Sequence, residues 1–437
     1  MDTPVADFVR AYAKKNGMRL HMPGHKGKPM LGPEPMDITE IQGADALYEA
    51  SGIIAQSEAN ATALFGTEMT CYSTEGASQC IRAMVRLAAG RARGRRPWFL
   101  AVRNAHKAFV YALALEDADV RWLWPESTDT LCSCLISARQ VEEALAQAET
   151  PPVAVYVTSP DYLGMEQPLE EVAQVCHRYG TLLLVDNAHG AYLRFLSQSR
   201  HPMDLGADLC CDSAHKTLPV LTGGAYLHIS NRVKELAGQA KDALALFGST
   251  SPSYLTLTSL DLCNACLSGE YPTRLQTAVA MVEELKVRLR SQGWEVLETE
   301  PMKLTLRCDG PAVASALEKA NIYCEFADRD YLVCMISAQT TGEELNRLAE
   351  ILGENTRGKR AVSLPRWTRP ACAMTVRQAV YAPQETIPVT KALGRICASP
   401  AVSCPPAIPI AVSGEVLDQD TLDIFRYYGV EQVTVVK

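Results

Sequence analysis

The chain has 437 residues, of which 47% are hydrophobic and 21% charged, and its formal net charge is −8. This length suits two or three domains, and the acidic balance argues against a nucleic-acid surface. No apolar run approaches the length of a membrane span and the first residues lack the layout of a signal peptide, so we expect a cytoplasmic protein. The fifteen cysteines are scattered and complete no zinc pattern, so we expect reduced thiols and no metal site.

The chain begins with a predicted amphipathic helix, residues 2–15, followed by a loop rich in turn formers, residues 20–27. His21 and His25 in this loop are four residues apart, which suits a metal only on a helix. Pro23 between them breaks a helix, so a metal is not expected there. We expect the loop to approach an active site or a second subunit.

A strand, a small-residue turn and a helix are predicted between residues 70 and 89. The turn contains Gly76, Ala77 and Ser78, and free backbone N–H groups at such a helix start favour a phosphate. The alternative is an ordinary helix cap by Thr74 or Ser78. The segment is neither a Walker A loop nor Gly-x-Gly-x-x-Gly, so it indicates no nucleoside triphosphate or dinucleotide, and a dehydrogenase is poorly supported.

Apolar strands and helices then alternate along the chain. The strands are predicted at 98–102, 118–123, 153–157 and 181–185, and the helices at 104–115, 138–148 and 169–179. Uninterrupted apolar strands between helices indicate a mostly parallel sheet covered on both faces, with ligands beyond the carboxyl ends of the strands. Asp186 ends one strand and His106 follows another, so both are expected to face that crevice.

A lysine stands in a polar loop between two further apolar strands, residues 207–211 and 225–229. The loop reads Ser213-Ala-His215-Lys216 and leads to a glycine turn. A lysine on such a loop usually points into solvent and has no catalytic role. Asp186 changes the interpretation, because pyridoxal phosphate chemistry requires a lysine that forms a Schiff base and a carboxylate that holds a pyridinium.

The remaining segments predict a long helix at 271–292 and then a compact α+β unit. Its strands are predicted at 295–297, 303–308, 323–326 and 331–335, and its helices at 311–320 and 342–352. We therefore predict four parts: an N-terminal arm (1–57), a large cofactor-binding domain (58–285), a small α+β domain (286–356), and a linker with a C-terminal domain (357–437).

Several segments together resemble the ornithine/lysine/arginine decarboxylase family of fold-type-I pyridoxal-phosphate enzymes, in its compact bacterial form. They lie at 21–27, 73–79, 104–107, 158–164, 186–190, 213–217 and 249–254, and the ending Pro405-Pro-Ala-Ile-Pro409 with Gly414-Glu415 resembles the family's C-terminal domain. The resemblance implies an α/β large domain with a mostly parallel sheet, smaller α+β C-terminal parts and a pyridoxal 5'-phosphate cofactor. The implied reaction converts arginine, lysine or ornithine to the amine and CO₂.

The resemblance also implies roles for individual residues. Lys216 matches the Schiff-base lysine and Asp186 the partner of the pyridine nitrogen. His106 matches a histidine stacked on the cofactor ring, whereas the alternative is a buried histidine that caps a helix. His215 or Lys216 is the candidate donor of the proton that returns to Cα.

The remaining matched residues are cofactor contacts. Gly76, Ala77 and Ser78 match the phosphate cradle, Ser213 and His215 flank the lysine, His189 orients Asp186 or a cofactor oxygen, and Ser251 reaches the phosphate of a neighbouring subunit. The last match implies a homodimer or a higher homo-oligomer with the active site at the subunit interface.

Three residues depart from the family pattern. Asn187 replaces a glutamate, Ala105 stands where cysteine is frequent, and Ala77 stands where a second phosphate-binding hydroxyl is common. The lost hydroxyl weakens cofactor binding by on the order of 1 kcal/mol. Two alternatives stay open: another fold-type-I reaction, catalysed by an aminotransferase or lyase, and a catalytically weak regulatory homologue, which Asn187 and Ala105 suggest.

Overall fold

A computed structural model describes residues 1–126, 130–354, 364–403 and 408–437. The helices are α1 (Pro4–Lys14), α2 (Ile53–Phe65), α3 (Ala77–Ala89), α4 (Lys107–Leu115), α5 (Ala138–Ala146), α6 (Leu169–Arg178), α7 (Ala214–Thr217), α8 (Ala237–Ala245), α9 (Tyr254–Leu267), α10 (Tyr271–Ser291), α11 (Gly310–Lys319), α12 (Gly342–Glu354), α13 (Val376–Tyr381) and α14 (Gln419–Tyr427). The strands are β1 (Met69–Ser73), β2 (Trp98–Val102), β3 (Asp119–Leu123), β4 (Ala154–Thr158), β5 (Leu182–Asp186), β6 (Leu209–Asp212), β7 (Ala225–Ile229), β8 (Glu295–Val296), β9 (Lys303–Arg307), β10 (Phe326–Ala327), β11 (Tyr331–Met335), β12 (Gln384–Pro388), β13 (Ala401–Ser403), β14 (Pro409–Val412) and β15 (Gln432–Val436).

The chain divides into two compact units, and the first comprises Met1–Gly90 and Leu182–Gln276. Its strands lie in the order β1-β7-β6-β5. Strands β5 and β6 are parallel, with Asp186 paired to Cys211, whereas β7 is antiparallel to both β6 and β1. Every residue of β5, β6 and β7 is buried, as expected for strands covered on both faces. The carboxyl ends of β5 and β6 therefore lie side by side.

The second unit comprises Arg91–Thr181 and Thr277–Lys437. In its parallel part β2 lies between β3 and β4. An antiparallel sheet has the order β10-β11-β9-β8, and the antiparallel pairs β12–β15 and β13–β14 belong to the C-terminal segment. The protein is thus α/β with a mostly parallel sheet and smaller α+β parts, which confirms the predicted fold class.

The predicted elements of the alternating region are present, with bounds that shift by a few residues. Lys216 was expected in a loop, but it lies in the one-turn helix α7. Helix α9 was not predicted, because its residues are buried on several faces and show little of the one-sided apolar pattern of an amphipathic helix. Of the strand predicted at 323–326, only Phe326 lies in a strand, which is β10.

Some predictions fall partly outside the described residues. These are the linker from Arg357 to Pro370 and the Pro405–Pro409 motif. The proposed domain boundaries stay predictions. The cysteines of the described ranges are free thiols, and most are buried. None of the helices in these ranges has both the length and the apolar character needed to cross a membrane.

Candidate active site

Lys216 lies in α7, which is separated from β6 by Ser213 alone. Its Nζ atom is 3.0 Å from Nε2 of His189, which lies in the segment after β5. His189 and Ser213 are buried, whereas the Lys216 side chain is exposed. The parallel pairing of β5 and β6 thus brings together two predicted site residues that are 27 positions apart.

Asp186 is the last residue of β5 and is only 2% exposed. Its Oδ1 accepts a hydrogen bond from the Ala188 N–H at 3.2 Å and is 3.8 Å from the Cys211 thiol. A buried carboxylate needs hydrogen-bond donors or a cation to remain ionised. The position and burial of Asp186 therefore suit a partner of a positively charged ring nitrogen.

His215 is anchored to the glycine turn that follows the lysine helix. Its Nδ1 lies 3.0 Å from the Gly224 carbonyl oxygen, which also accepts the His215 backbone N–H at 3.1 Å. A carbonyl oxygen only accepts, so Nδ1 carries the hydrogen and Nε2 is the position at which the ring gains or loses a proton.

The glycine turn also contacts the predicted phosphate loop. The Gly76 N–H donates to the Gly223 carbonyl at 2.8 Å. Gly223 has a φ of +95°, and a Cβ there would lie 2.7 Å from the Thr74 carbonyl oxygen. Glycine is thus required where the phosphate loop and the segment after Lys216 approach each other.

Helix α3 begins after Gly76, and it has no side-chain cap among the residues that the structure describes. Capping by Thr74 or Ser78, the alternative to a phosphate site, is therefore not seen. A Cβ at Gly76 would have no heavy atom within 4 Å, so the helix start borders open space. An uncapped helix start with open space beside it fits a phosphate group.

Ser251 lies in an exposed turn, where its N–H donates to Ser249 Oγ at 3.1 Å. The Ser249 N–H in turn donates to Glu75 in the phosphate loop at 3.4 Å. The role of Ser251 toward a neighbouring subunit stays a prediction.

His106 lies in the second unit, at the start of α4. Its Nδ1 accepts a hydrogen bond from the Ala108 N–H at 3.2 Å, and its ring is exposed. His106 therefore caps the helix, as the alternative to cofactor stacking predicted, but its ring is exposed and that alternative expected a buried ring. Its stacking on a cofactor ring stays a prediction.

A buried network around Asp212 was missed in the sequence. Asp212 Oδ2 accepts from Nε2 of His201 at 3.0 Å and of His228 at 3.1 Å, and its Oδ1 accepts from Nδ2 of Asn187 at 2.6 Å. Burial acts to raise the pKa of Asp212, but the two histidines outweigh it and hold the pKa well below its usual value. The signal was an acidic residue that ends an apolar strand directly before Ser213.

The same network explains a cluster with metal-ligand chemistry. Among the described residues, His201, Cys210 and Asp212 place ligand atoms within 4.8 Å of one another. Nδ1 of His201 accepts the Met203 N–H at 3.3 Å, so the proton is on Nε2, which donates to Asp212. Hydrogen bonds therefore account for this cluster.

The second unit contains a buried ion pair that accounts for the Gly414-Glu415 motif. Nη1 and Nη2 of Arg103 donate to the two carboxylate oxygens of Glu415 at 2.6 and 2.7 Å. Gly414 has a φ of +95°, and a Cβ there would lie 2.2 Å from the Met374 carbonyl oxygen. Arg103 follows β2 and precedes His106 by three residues, and a charge at the end of an apolar strand was the signal that could have identified it.

Comparison with solved structures shows the fold. A lysine decarboxylase from Francisella novicida superposes with a TM-score of 0.83 at 17% identity, over 100% of this chain and 81% of that one. A serine palmitoyltransferase from Sphingomonas wittichii superposes with a TM-score of 0.58 at 16% identity, over 81% and 83%. The fold is that of the fold-type-I enzymes, which in general depend on pyridoxal phosphate.

Sequence comparison gives the family. The family model "Orn/Lys/Arg decarboxylase, major domain" matches residues 3–308, and "Orn/Lys/Arg decarboxylase, C-terminal domain" matches residues 364–434. An arginine decarboxylase from Bacillus anthracis is 27% identical over 97% of this chain and 92% of its own length. The chain belongs to the Orn/Lys/Arg decarboxylase family of enzymes, as its motifs indicated.

Proposed function

We propose that this enzyme decarboxylates a basic amino acid with pyridoxal phosphate held by Lys216. The observation that carries the proposal is the placement of Lys216, 3.0 Å from His189, at the strand ends where the buried Asp186 lies. When bound, the cofactor supplies an electron-withdrawing ring that stabilises the electron pair left as CO₂ departs.

The residues of the chain have separate tasks in this proposal. The Lys216 amine would hold the cofactor, and the Asp186 carboxylate would hold a proton on its ring nitrogen. The uncapped start of α3, at Ala77 and Ser78 next to Gly76, binds the phosphate. Nε2 of His215 or the Lys216 amine then returns a proton to Cα.

Arginine is the first substrate to test. The Bacillus anthracis relative, which aligns over 97% of the chain, is named an arginine decarboxylase, whereas the Francisella novicida protein is named a lysine decarboxylase and is 17% identical. Lysine and ornithine are the other candidates, since all three share an α-amino acid group and a distal cation.

The test is an assay of the purified enzyme with pyridoxal phosphate and each of the three amino acids. Release of CO₂ together with the matching amine supports the proposal, and Lys216→Ala is the inactive control. A keto acid product would instead indicate an aminotransferase. Absence of turnover with all three, despite an absorbance change on adding arginine, would indicate a binding or regulatory homologue and refute the proposal.

A homodimer is the oligomer that we propose for the active enzyme. The loop after α1 exposes large apolar side chains: Met18 is 87% exposed, Leu20 85%, Met30 86% and Leu31 87%. Exposed apolar side chains grouped in one loop are typical of a surface that another protein covers. A second copy of the chain is the partner that the proposed role of Ser251 requires.

A further inference from the structure

The structure explains why the residue after Asp186 differs from the family pattern. Asn187 is fully buried, and its Nδ2 donates to Asp212 Oδ1 at 2.6 Å. A glutamate at position 187 would bring a second carboxylate toward Asp212 in the protein interior, where repulsion between like charges is screened little. An asparagine supplies the N–H donor that this carboxylate needs. Residues 187 and 212 are therefore matched to each other.

The network extends across the whole strand group of the first unit. His228 on β7 donates to Asp212 on β6, and the other nitrogen of its ring lies 2.9 Å from Thr70 Oγ1 on β1. Burial lowers the pKa of His228, which favours its neutral form. Asp212 is thus a buried anion with three N–H donors, and it connects β1, β7 and β6 to the segment after β5.

This segment carries two residues of the candidate site. Asn187 lies between Asp186 and His189, its backbone N–H donates to the Cys211 carbonyl at 2.9 Å, and its carbonyl accepts the Gly190 N–H at 2.8 Å. Asp212 itself directly precedes the Ser213–Lys216 segment. One side-chain hydrogen bond therefore ties the segment of Asp186 and His189 to the segment of Lys216.

We propose that Asp212 is a positioning residue for this active site and that it acts through Asn187. It keeps Asp186 and His189 in register with Lys216, and it supplies from position 212 the acidic group that the family commonly has at position 187. The proposal rests on the proposed function, because the register matters for a cofactor held between Asp186 and Lys216. It also removes Asn187 as a sign of lost activity.

A pair of single variants and their combination test the coupling. Asp212→Asn removes the charge, Asn187→Asp places two carboxylates together, and the double variant restores one carboxylate bonded to one amide. The matched control is Asp208→Asn. Asp208 is 1% exposed, lies just before the opposite end of β6, and accepts the Leu183 N–H at 2.8 Å.

Two quantities are measured for each variant: the thermal unfolding midpoint without cofactor, and the dissociation constant of pyridoxal phosphate from its visible absorbance. We expect each single variant to lower the midpoint by about 10 °C and to raise the dissociation constant by about tenfold or more. The double variant should recover most of both losses, whereas Asp208→Asn should lower the midpoint and leave the dissociation constant near that of the wild type.

The outcomes separate the coupling from general instability. If a single variant does not fold but the double variant does, that result supports the proposal. Failure of the double variant to recover either quantity would overturn it, as would an Asp208→Asn variant that binds the cofactor as weakly as Asp212→Asn. Failure of the wild-type chain to bind pyridoxal phosphate would refute the proposed function, while recovery of the midpoint still reports on the coupling.

Discussion

Arg103 and Glu415 form a buried bidentate ion pair between residues 312 positions apart in the chain. Arg103 is fully buried and Glu415 is 4% exposed. Nε of Arg103 also donates to the Pro409 carbonyl at 3.2 Å, and the Val412 N–H donates to Glu415 at 2.8 Å. The pair thus joins the end of β2 to the C-terminal segment of the same unit.

Replacing Glu415 with glutamine should lower the free energy of unfolding by about 3–5 kcal/mol, because it leaves the Arg103 cation buried without its counter-charge. The control is Glu143→Gln in the exposed pair Arg139–Glu143, where the loss should stay below about 1 kcal/mol. Urea unfolding measures both. Equal stability of the two variants would contradict the structural role of the buried pair.

Replacing Lys216 with alanine should abolish turnover and the visible absorbance of lysine-bound pyridoxal phosphate together, because both depend on the same amine. Absorbance spectra and CO₂ release from arginine measure the two effects. Lys234→Ala is the comparison, since Lys234 is exposed in the same unit and has no proposed catalytic task. Turnover by the Lys216 variant would show that the reaction was assigned to the wrong residue.

A serine at position 77 should strengthen cofactor binding. Ala77 is the first residue of α3, and a hydroxyl there adds a hydrogen-bond donor at the phosphate, worth about 1 kcal/mol or about fivefold in the dissociation constant. Ser78→Ala should change the constant by a similar factor in the opposite direction. Titration with pyridoxal phosphate measures both, and unchanged constants would place the phosphate elsewhere.

Stability should depend on pH through Asp161, which is 1% exposed in the second unit. Burial raises its pKa to about 6 from a usual 3.8, although hydrogen bonds from Ser133 and Met165 act in the opposite direction. The folded protein therefore holds a proton that the unfolded chain releases, and the free energy of unfolding falls as pH rises from about 4 to about 6. Urea unfolding of wild type and Asp161→Asn should differ across this range by on the order of 3 kcal/mol. A difference that does not vary with pH would contradict the raised pKa.

We expect changes in the exposed apolar loop after α1 to alter the molecular mass of the protein in solution. The double change Met30→Ser and Leu31→Ser should shift the protein toward the monomer in sedimentation experiments, because it removes apolar area from the contact. Leu393→Ser, at a leucine that is 58% exposed elsewhere in the chain, should leave the mass unchanged. A dimer that survives the double change would place the interface on another surface.

Much of the fold and of the chemistry could be predicted from local patterns. The period of apolar residues indicated the alternating strands and helices, and the position of Asp186 at the end of an apolar strand indicated its place. The spacing of apolar residues was less informative for α9, because burial on several faces removes its periodicity. It was also less informative for α7, which is a single helical turn close behind a strand.

The amino-acid sequence by itself determined the fold class, the family and the lysine expected to do the chemistry, because these depend on local periodicity and contiguous motifs. Only the tertiary structure decided how distant residues are matched, since hydrogen bonds between Asn187 and Asp212, or between Arg103 and Glu415, depend on strand pairing and chain packing. An asparagine that resembled a lost catalytic group is, in the folded protein, the donor that a buried aspartate requires.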